Sequence, residues 1–251
     1  MDYFVAIKNI SDYWQVELLI ESFKFHNLEN KLLVAICGDK NPKLLPNLAN
    51  HKRKFVCVDP ENKYQELYKA YSLLTALENK TISQPFVLMH TDMLLFKPIK
   101  DEWEQHIVFH PQEDREDIKK DMDIKGMWLS DDGAIRFKNI PIKFFKQVLK
   151  IAEKCSDKKE PALVAWAQTM IYGNLFFELS PQPLEMELLH DNLEAPIIHY
   201  KHGLPPVFSK KAYGEIKMAD DPMEILLAHN PTSTTDYMHK IINHYKEKAT
   251  R

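Results

Sequence analysis

One acid stands where a sheet would present it. In the stretch Phe86-Val87-Leu88-Met89-His90-Thr91-Asp92-Met93-Leu94-Leu95-Phe96-Lys97-Pro98-Ile99, four apolar residues follow the turn signal Ser83-Gln84-Pro85 and lead to His90 and Asp92 before the chain turns apolar again. So short an apolar run is too brief for a helix and reads as a parallel strand covered on both faces. Ligands of open α/β sheets bind just beyond such strand ends. There the Asp92 carboxylate is a hard oxygen donor, expected to face solvent, with His90 and Thr91 beside it. It suits a divalent cation, Mn²⁺ or Mg²⁺, shared with the oxygens of a diphosphate.

The preceding chain supplies the elements that would position this acid. Tyr3 to Lys8, Lys31 to Cys37 and Phe55 to Val58 read as strands. Between the first two, a helix capped by Ser11 or Asp12 runs to about Phe25 and buries Trp14, Val16, Leu18, Leu19 and Phe23 on one broad side. Strand, helix and strand with short joins make the βαβ unit of a nucleotide-binding half sheet. Its strand ends place Ile7, Asn9, Asp39 and Asp59 as nucleotide contacts. A helix from about Lys63 to Glu78 follows, with Leu67, Tyr71, Leu74 and Leu77 at helical spacing.

After Ile99 the pattern is weaker. Asp101 to Ile124 is densely charged without periodicity and reads as a long excursion near the site. Gly126 to Phe137 reads as strand, tight Asp131-Asp132-Gly133 turn and strand, a hairpin signal. Pro141 to Lys154 is an amphipathic helix, Glu160-Pro161 opens another to about Phe176, and Phe176 to Ser180 returns as a strand. A last helix spans about Thr235 to Lys248.

Several of these segments, in this order, resemble GT-A fold nucleotide-sugar-dependent glycosyltransferases, family 8-like or 2-like. Val87 to Pro98 resembles their strand and metal loop, an apolar run, Asp-x-Asp, further apolar residues and a Lys-Pro exit. His90 stands where the family has its first acid. The resemblance implies that Asp92 is the main metal ligand, with His90 and Thr91 towards the nucleotide. Leu67 to Tyr71 resembles the segment with a basic residue upstream of the metal motif, which implies that Lys69 approaches the diphosphate as a point charge. Asp131 and Gly133 match an Asn-x-Gly segment facing donor sugar and acceptor, which makes Asp131 and Asp132 candidate catalytic acids that orient or deprotonate the acceptor hydroxyl. Val164-Ala165-Trp166-Ala167-Gln168 is similar to an acceptor-side helix. Ala195 to Gly203 resembles the closing apolar-apolar-His-aromatic-x-x-Gly segment, implying His199 as a returning metal ligand, His202 as a second candidate and Gly203 at the nucleotide.

Composition bounds the remaining classes. At 251 residues and 45% hydrophobic, the chain can bury one large core. A formal net charge of -3 gives no overall basic field, and the basic clusters at 51–54 and 239–251 read as solvated faces. Three cysteines without CxxC spacing, Cys37, Cys57 and Cys155, read as small core residues of a reduced compartment. With no signal segment at Met1 to Lys8 and no apolar window of about 18 residues, the expected location is the cytoplasm. Neither GxGxxG, GxxxxGK[ST] nor GxSxG occurs.

The resulting expectation is α/β: one GT-A-like, Rossmann-like domain over 1–204, its nucleotide half at about 1–100 and its acceptor half at 101–204. It has a mostly parallel central sheet flanked by helices, and a C-terminal helical extension over 205–251. The expected activity is hexosyl or pentosyl transfer from a nucleotide-sugar donor, UDP-linked by the resemblance, to a hydroxyl on a glycan, a protein, a small molecule or modified DNA. Competing readings are a nucleotidyltransferase acting on sugar phosphates, which lacks its glycine-rich basic loop after the first strand, and a non-catalytic nucleotide-sugar-binding module.

Overall fold

Strand β1 (Asp2–Ile7) is buried along its whole length. Tyr3, Val5 and Ile7 pack to one side and Phe4 and Ala6 to the other, and a strand sealed on both faces needs no polar alternation. The computed structural model describes residues 1–38, 43–58, 67–109, 111–112, 129–130, 135–154, 181–183, 196–199, 222–228 and 233–249. In chain order, the strands and α-helices described after β1 are α1 (Tyr13–Phe25), β2 (Leu32–Cys37), α2 (Pro46–Asn50), β3 (Lys54–Cys57), α3 (Tyr68–Glu78), β4 (Phe86–Met89) and β5 (Met93–Leu95). They continue with β6 (Ile107–Phe109), β7 (Pro111–Gln112), β8 (Leu129–Ser130), β9 (Ile135–Phe137), α4 (Ile142–Lys154), β10 (Pro181–Pro183), β11 (Ile197–His199), α5 (Pro222–Ala228) and α6 (Ser233–Ala249).

Seven strands form the central sheet in the order β10-β6-β9-β4-β1-β2-β3. All neighbours run parallel except the two pairs made by β9. The mostly parallel α/β sheet expected from the sequence is thus present. Helix α1 covers one face through Val16, Leu19, Ile20 and Phe23. Helices α3 and α4 cover the other, with Leu73, Leu77, Phe144, Phe145 and Val148 against Phe86 and Phe137. Asp12 stands at the N-cap of α1 as expected, but its carboxylate makes no capping bond and instead accepts from Asn9 Nδ2 at 3.3 Å and Ser11 Oγ at 3.4 Å.

The second half departs from the sequence reading in three places. The charged stretch after Asp101 contains β6, a central-sheet strand whose Ile107 and Val108 are fully buried. The strands flanking Asp131-Asp132-Gly133 do not form a hairpin: β8 pairs with β7, whereas β9 lies between β4 and β6. Non-local pairing outweighed the local turn signal. Pro181-Gln182-Pro183 is itself a strand, at the sheet edge where missing N–H donors cost no ladder bond.

Two side chains fix β5, the strand directly after Asp92. Leu95 N–H donates to Ser22 Oγ of α1 at 3.1 Å, and Leu95 C=O accepts from the Tyr237 hydroxyl of α6 at 2.6 Å. Burial drives the Tyr237 phenol upward, so it stays protonated to donate. Met238, Ile241 and Ile242 of α6 join Met223 and Leu226 of α5 against Trp14, Leu18 and Leu94. Among the described residues, no helix is long and apolar enough to cross a membrane.

The basic cluster at 51–54 is not a solvated face. Arg53 donates from both terminal nitrogens to Asp2 at 3.1 Å and from Nη2 to Thr81 O at 3.0 Å, while buried His51 donates Nε2–H to Leu32 O at 2.8 Å. Burial holds His51 below its ordinary pKa of 6.5, with the carbonyl bond opposing part of the shift. The native state therefore binds this proton less readily than the unfolded chain, so the His51 contribution is intact above pH 6.5 and lost as pH falls through the lowered value. Denaturant unfolding at about pH 7.5 and 5.5 is expected to show a fall of at most ~1.4 kcal/mol per pH unit from this group. The fall should shrink in His51→Gln, and an unchanged pH dependence in that variant would refute the assignment.

Candidate active site

The carboxyl ends of β1 and β4, adjacent and parallel with Val5 opposite Met89, meet the first turn of α3. His90, Thr91 and Asp92 form the turn between β4 and β5. His90 N–H donates to Met93 Sδ at 3.4 Å, and the Thr91 hydroxyl donates to Oε1 of buried Gln15 on α1 at 2.6 Å. Asp92 is 4% exposed, so it does not face solvent as the sequence suggested. Burial follows because Met93, Leu94 and Leu95 are each completely enclosed and draw the preceding residue inward. A carboxylate held inside the fold is costly unless a cation or donors compensate it.

Lys69, on the second residue of α3, places Nζ 2.9 Å from His90 Nδ1. The contact joins a helix turn and a strand end twenty-one residues apart. Lys8, directly after β1, lies with Nζ 6.0 Å from the Tyr68 ring centroid, a cation–π approach that brings a second positive charge towards the same helix turn. Neither Lys8, Gln15 nor Tyr68 emerged from the sequence, although a lysine immediately beyond a buried strand was a usable signal.

Strand β11 pairs antiparallel with β5, setting Ile197 opposite Leu95, Ile198 opposite Leu94 and His199 opposite Met93. The backbone of His199 is therefore in register beside the residue that follows Asp92, across more than a hundred positions of sequence. Backbone bonds from Phe96 N and Lys97 N to Pro196 O, at 2.9 and 3.3 Å, extend the join.

The other proposed contacts divide. Ile7 is 1% exposed and its side chain lies in the α1-facing core, closed to a ligand. Asn9 is exposed and turned to Asp12. Gly38, directly after β2, has φ +106°, a conformation that favours glycine, with open space where a Cβ would be. Asp39, Asp59, Asp131, Asp132, His202 and Gly203, together with Trp166 and Gln168, lie outside the described residues. Among the described residues, no three His, Cys, Asp or Glu side chains cluster as a metal site. The donor set nonetheless fits Mg²⁺ or Mn²⁺, which takes one or two carboxylates and fills its shell with phosphate and water.

Cys37 and Cys57 stand opposite each other in the β2–β3 register, buried and reduced. Each other's hydrogen bonding and burial drive the Cys37 thiol upward, which leaves it protonated and a poor nucleophile.

No family model matches the chain, and no curated protein matches it. Solved structures do. A galactosyltransferase, LgtC, in complex with donor and acceptor sugar analogues, aligns over 97% of this chain and 95% of its own, with a TM-score of 0.54 at 9% identity. The glycosyltransferase GlyE of Streptococcus pneumoniae TIGR4 aligns over 99% of this chain and 64% of its own, with a TM-score of 0.51 at 11% identity. The fold is GT-A-like. At such identities the likeness is one of fold alone; in this chain that fold is a mostly parallel sheet with the antiparallel strand β9 beside β4, and a separate two-stranded ribbon of β5 with β11.

Proposed function

We propose that the chain is a metal-dependent glycosyltransferase that moves a sugar from a nucleoside-diphosphate sugar, uridine-linked, to an acceptor hydroxyl. The observation that carries this reading is the β5–β11 register, which sets the His199 backbone beside Met93, the residue directly after Asp92, in a GT-A-like fold. Asp92 and His199 would hold Mn²⁺ or Mg²⁺, with His202 as an alternative. When bound, the cation would supply Lewis-acid stabilisation of the negative charge that grows on the departing nucleoside diphosphate.

The chain's own residues carry the other roles. Lys69 adds positive charge at the diphosphate, and the backbone at Ile7 and Asn9 with Asp39, Asp59 and Gly203 contacts the nucleotide. Thr91, held by Gln15, fixes the turn that aims Asp92. Asp131 or Asp132 orients the acceptor hydroxyl or takes its proton.

Calorimetry of UDP binding tests the reading. With one buried carboxylate, the free protein offers few metal ligands, so cation and diphosphate should bind cooperatively. UDP affinity is expected to rise by about tenfold or more on replacing EDTA with Mn²⁺. Equal affinity in both would refute metal-bridged donor binding. A panel of nucleotide sugars with Mn²⁺ should further release sugar and nucleoside diphosphate, whereas release of pyrophosphate would mark nucleotidyl transfer instead.

A further inference from the structure

Side chains, instead of a further strand, hold the backbone of Leu95. Along β5 the hydrogen-bonding direction alternates, and Phe96 N–H donates to Pro196 O on the β11 side at 2.9 Å, so Leu95 turns its N–H and C=O to the opposite edge. There α1 and α6 complete both groups. The Ser22 hydroxyl gives its proton to Leu19 O at 2.7 Å, which leaves its oxygen to accept Leu95 N–H at 3.1 Å. The Tyr237 hydroxyl gives its proton to Leu95 O at 2.6 Å, so its oxygen accepts Nε2–H of His26, 3.1 Å away. Each hydroxyl thus has one defined orientation. Tyr237 is buried, and its ring stands edge-on to Phe96 with the centroids 4.9 Å apart.

A two-stranded ribbon with strands of three residues has no independent stability, so β5 and β11 sit where their outer contacts put them. Asp92 directly precedes β5, and the His199 backbone lies in register with Met93. Both proposed cation ligands therefore hang from the strand pair that Ser22 and Tyr237 hold. A cation such as Mg²⁺ tolerates little displacement of its ligands. We infer that Tyr237, with Ser22, is a positioning residue for the cation site: its hydroxyl locks the β5–β11 ribbon, which makes the C-terminal helix α6 part of the donor-binding machinery. The inference rests on the metal-dependent glycosyltransferase reading above and adds to it residues that act through the backbone of β5.

The test measures UDP affinity of the intact chain by calorimetry in Mn²⁺ and in EDTA, and reads the gain that the metal brings. Tyr237→Phe keeps the ring and deletes only the hydroxyl. Its UDP affinity in EDTA should stay within about twofold of wild type, whereas the gain from Mn²⁺ should shrink by about fivefold or more. Ser22→Ala, which removes the partner of Leu95 N–H, is expected to shrink the gain likewise and gives a second reading if Tyr237→Phe does not fold. Ile241→Val is the control: it thins the packing at a fully buried position of α6 that makes none of the bonds to Leu95, and should lower the melting temperature with the gain intact. Mn²⁺ alone, followed by its electron paramagnetic resonance signal, should bind more weakly in Tyr237→Phe than in Ile241→Val. A Tyr237→Phe chain with the full gain, or an equal loss in Ile241→Val, would overturn the inference and leave the glycosyltransferase reading standing. Wild-type chain without any gain from Mn²⁺ would remove both.

Discussion

Asp92→Asn is expected to lower nucleotide-sugar turnover by about a hundredfold or more, ~3 kcal/mol in the barrier, while the fold persists. The substitution keeps the shape of a side chain that is almost completely enclosed, but replaces an anionic oxygen by an amide that binds a divalent cation poorly. Enclosure sharpens the prediction, because electrostatic interactions are stronger where water is excluded. Steady-state kinetics with matched circular dichroism and melting curves would measure it. Retention of more than about a tenth of wild-type turnover, under ~1.4 kcal/mol, would mean that Asp92 is not the principal ligand. A collapse of the fold would mean instead that the buried carboxylate is a structural group.

The same acid shows what the sequence carried and what it did not. A central parallel strand is buried on both faces, so its apolar run is visible without context, and β1, β2 and β4 were legible for that reason. The polar residues at their carboxyl ends were legible with them. Burial of Asp92 was not, because it depends on the ribbon that α1 and α6 clamp through Ser22 and Tyr237. Strand β6 escaped because its few apolar residues sit in a charged stretch, and β10 because its prolines disguise an edge strand.

Contacts between distant side chains were the least legible. Glu17 and Glu21 look like solvated positions on a helix, yet both are fully buried: Glu17 accepts the N–H groups of Asn47 and Leu48 at 2.8 and 2.6 Å, and Glu21 meets Asn47 Nδ2 at 2.9 Å and His244 Nδ1 at 2.5 Å. These bonds tie α1 to α2 and α6, and nothing in local periodicity announces them. The Lys69–His90 contact belongs to the same class. Each residue was singled out alone, and only their packing showed that they act on one another.

Asp101→Ala is expected to cost about 3 kcal/mol of folding stability. Arg136, in the middle of β9 with its side chain 1% exposed, is opposite Val87 of β4 and Val108 of β6. Its guanidinium donates to Asp101 Oδ1, to Gln105 O and, at 2.9 Å, to Trp103 O, and lies 5.9 Å from the Trp103 ring centroid. One buried cation thus fastens the 101–105 segment across the strand that separates the two halves of the sheet. Removing the carboxylate leaves that charge enclosed and only dipoles to face it, with Lys138 nearby adding repulsion. The Asp101 side chain is 22% exposed and the residue sits at the surface, so water entering the gap keeps the loss near the lower end of the range for broken buried pairs. Replacing both partners, Asp101→Leu with Arg136→Met, removes the charge together with its counter-ion and should cost less than Asp101→Ala alone. Urea denaturation of the two variants decides the matter. A double variant as unstable as the single one would show that the carbonyl bonds to Gln105 and Trp103, rather than charge compensation, hold the segment in place.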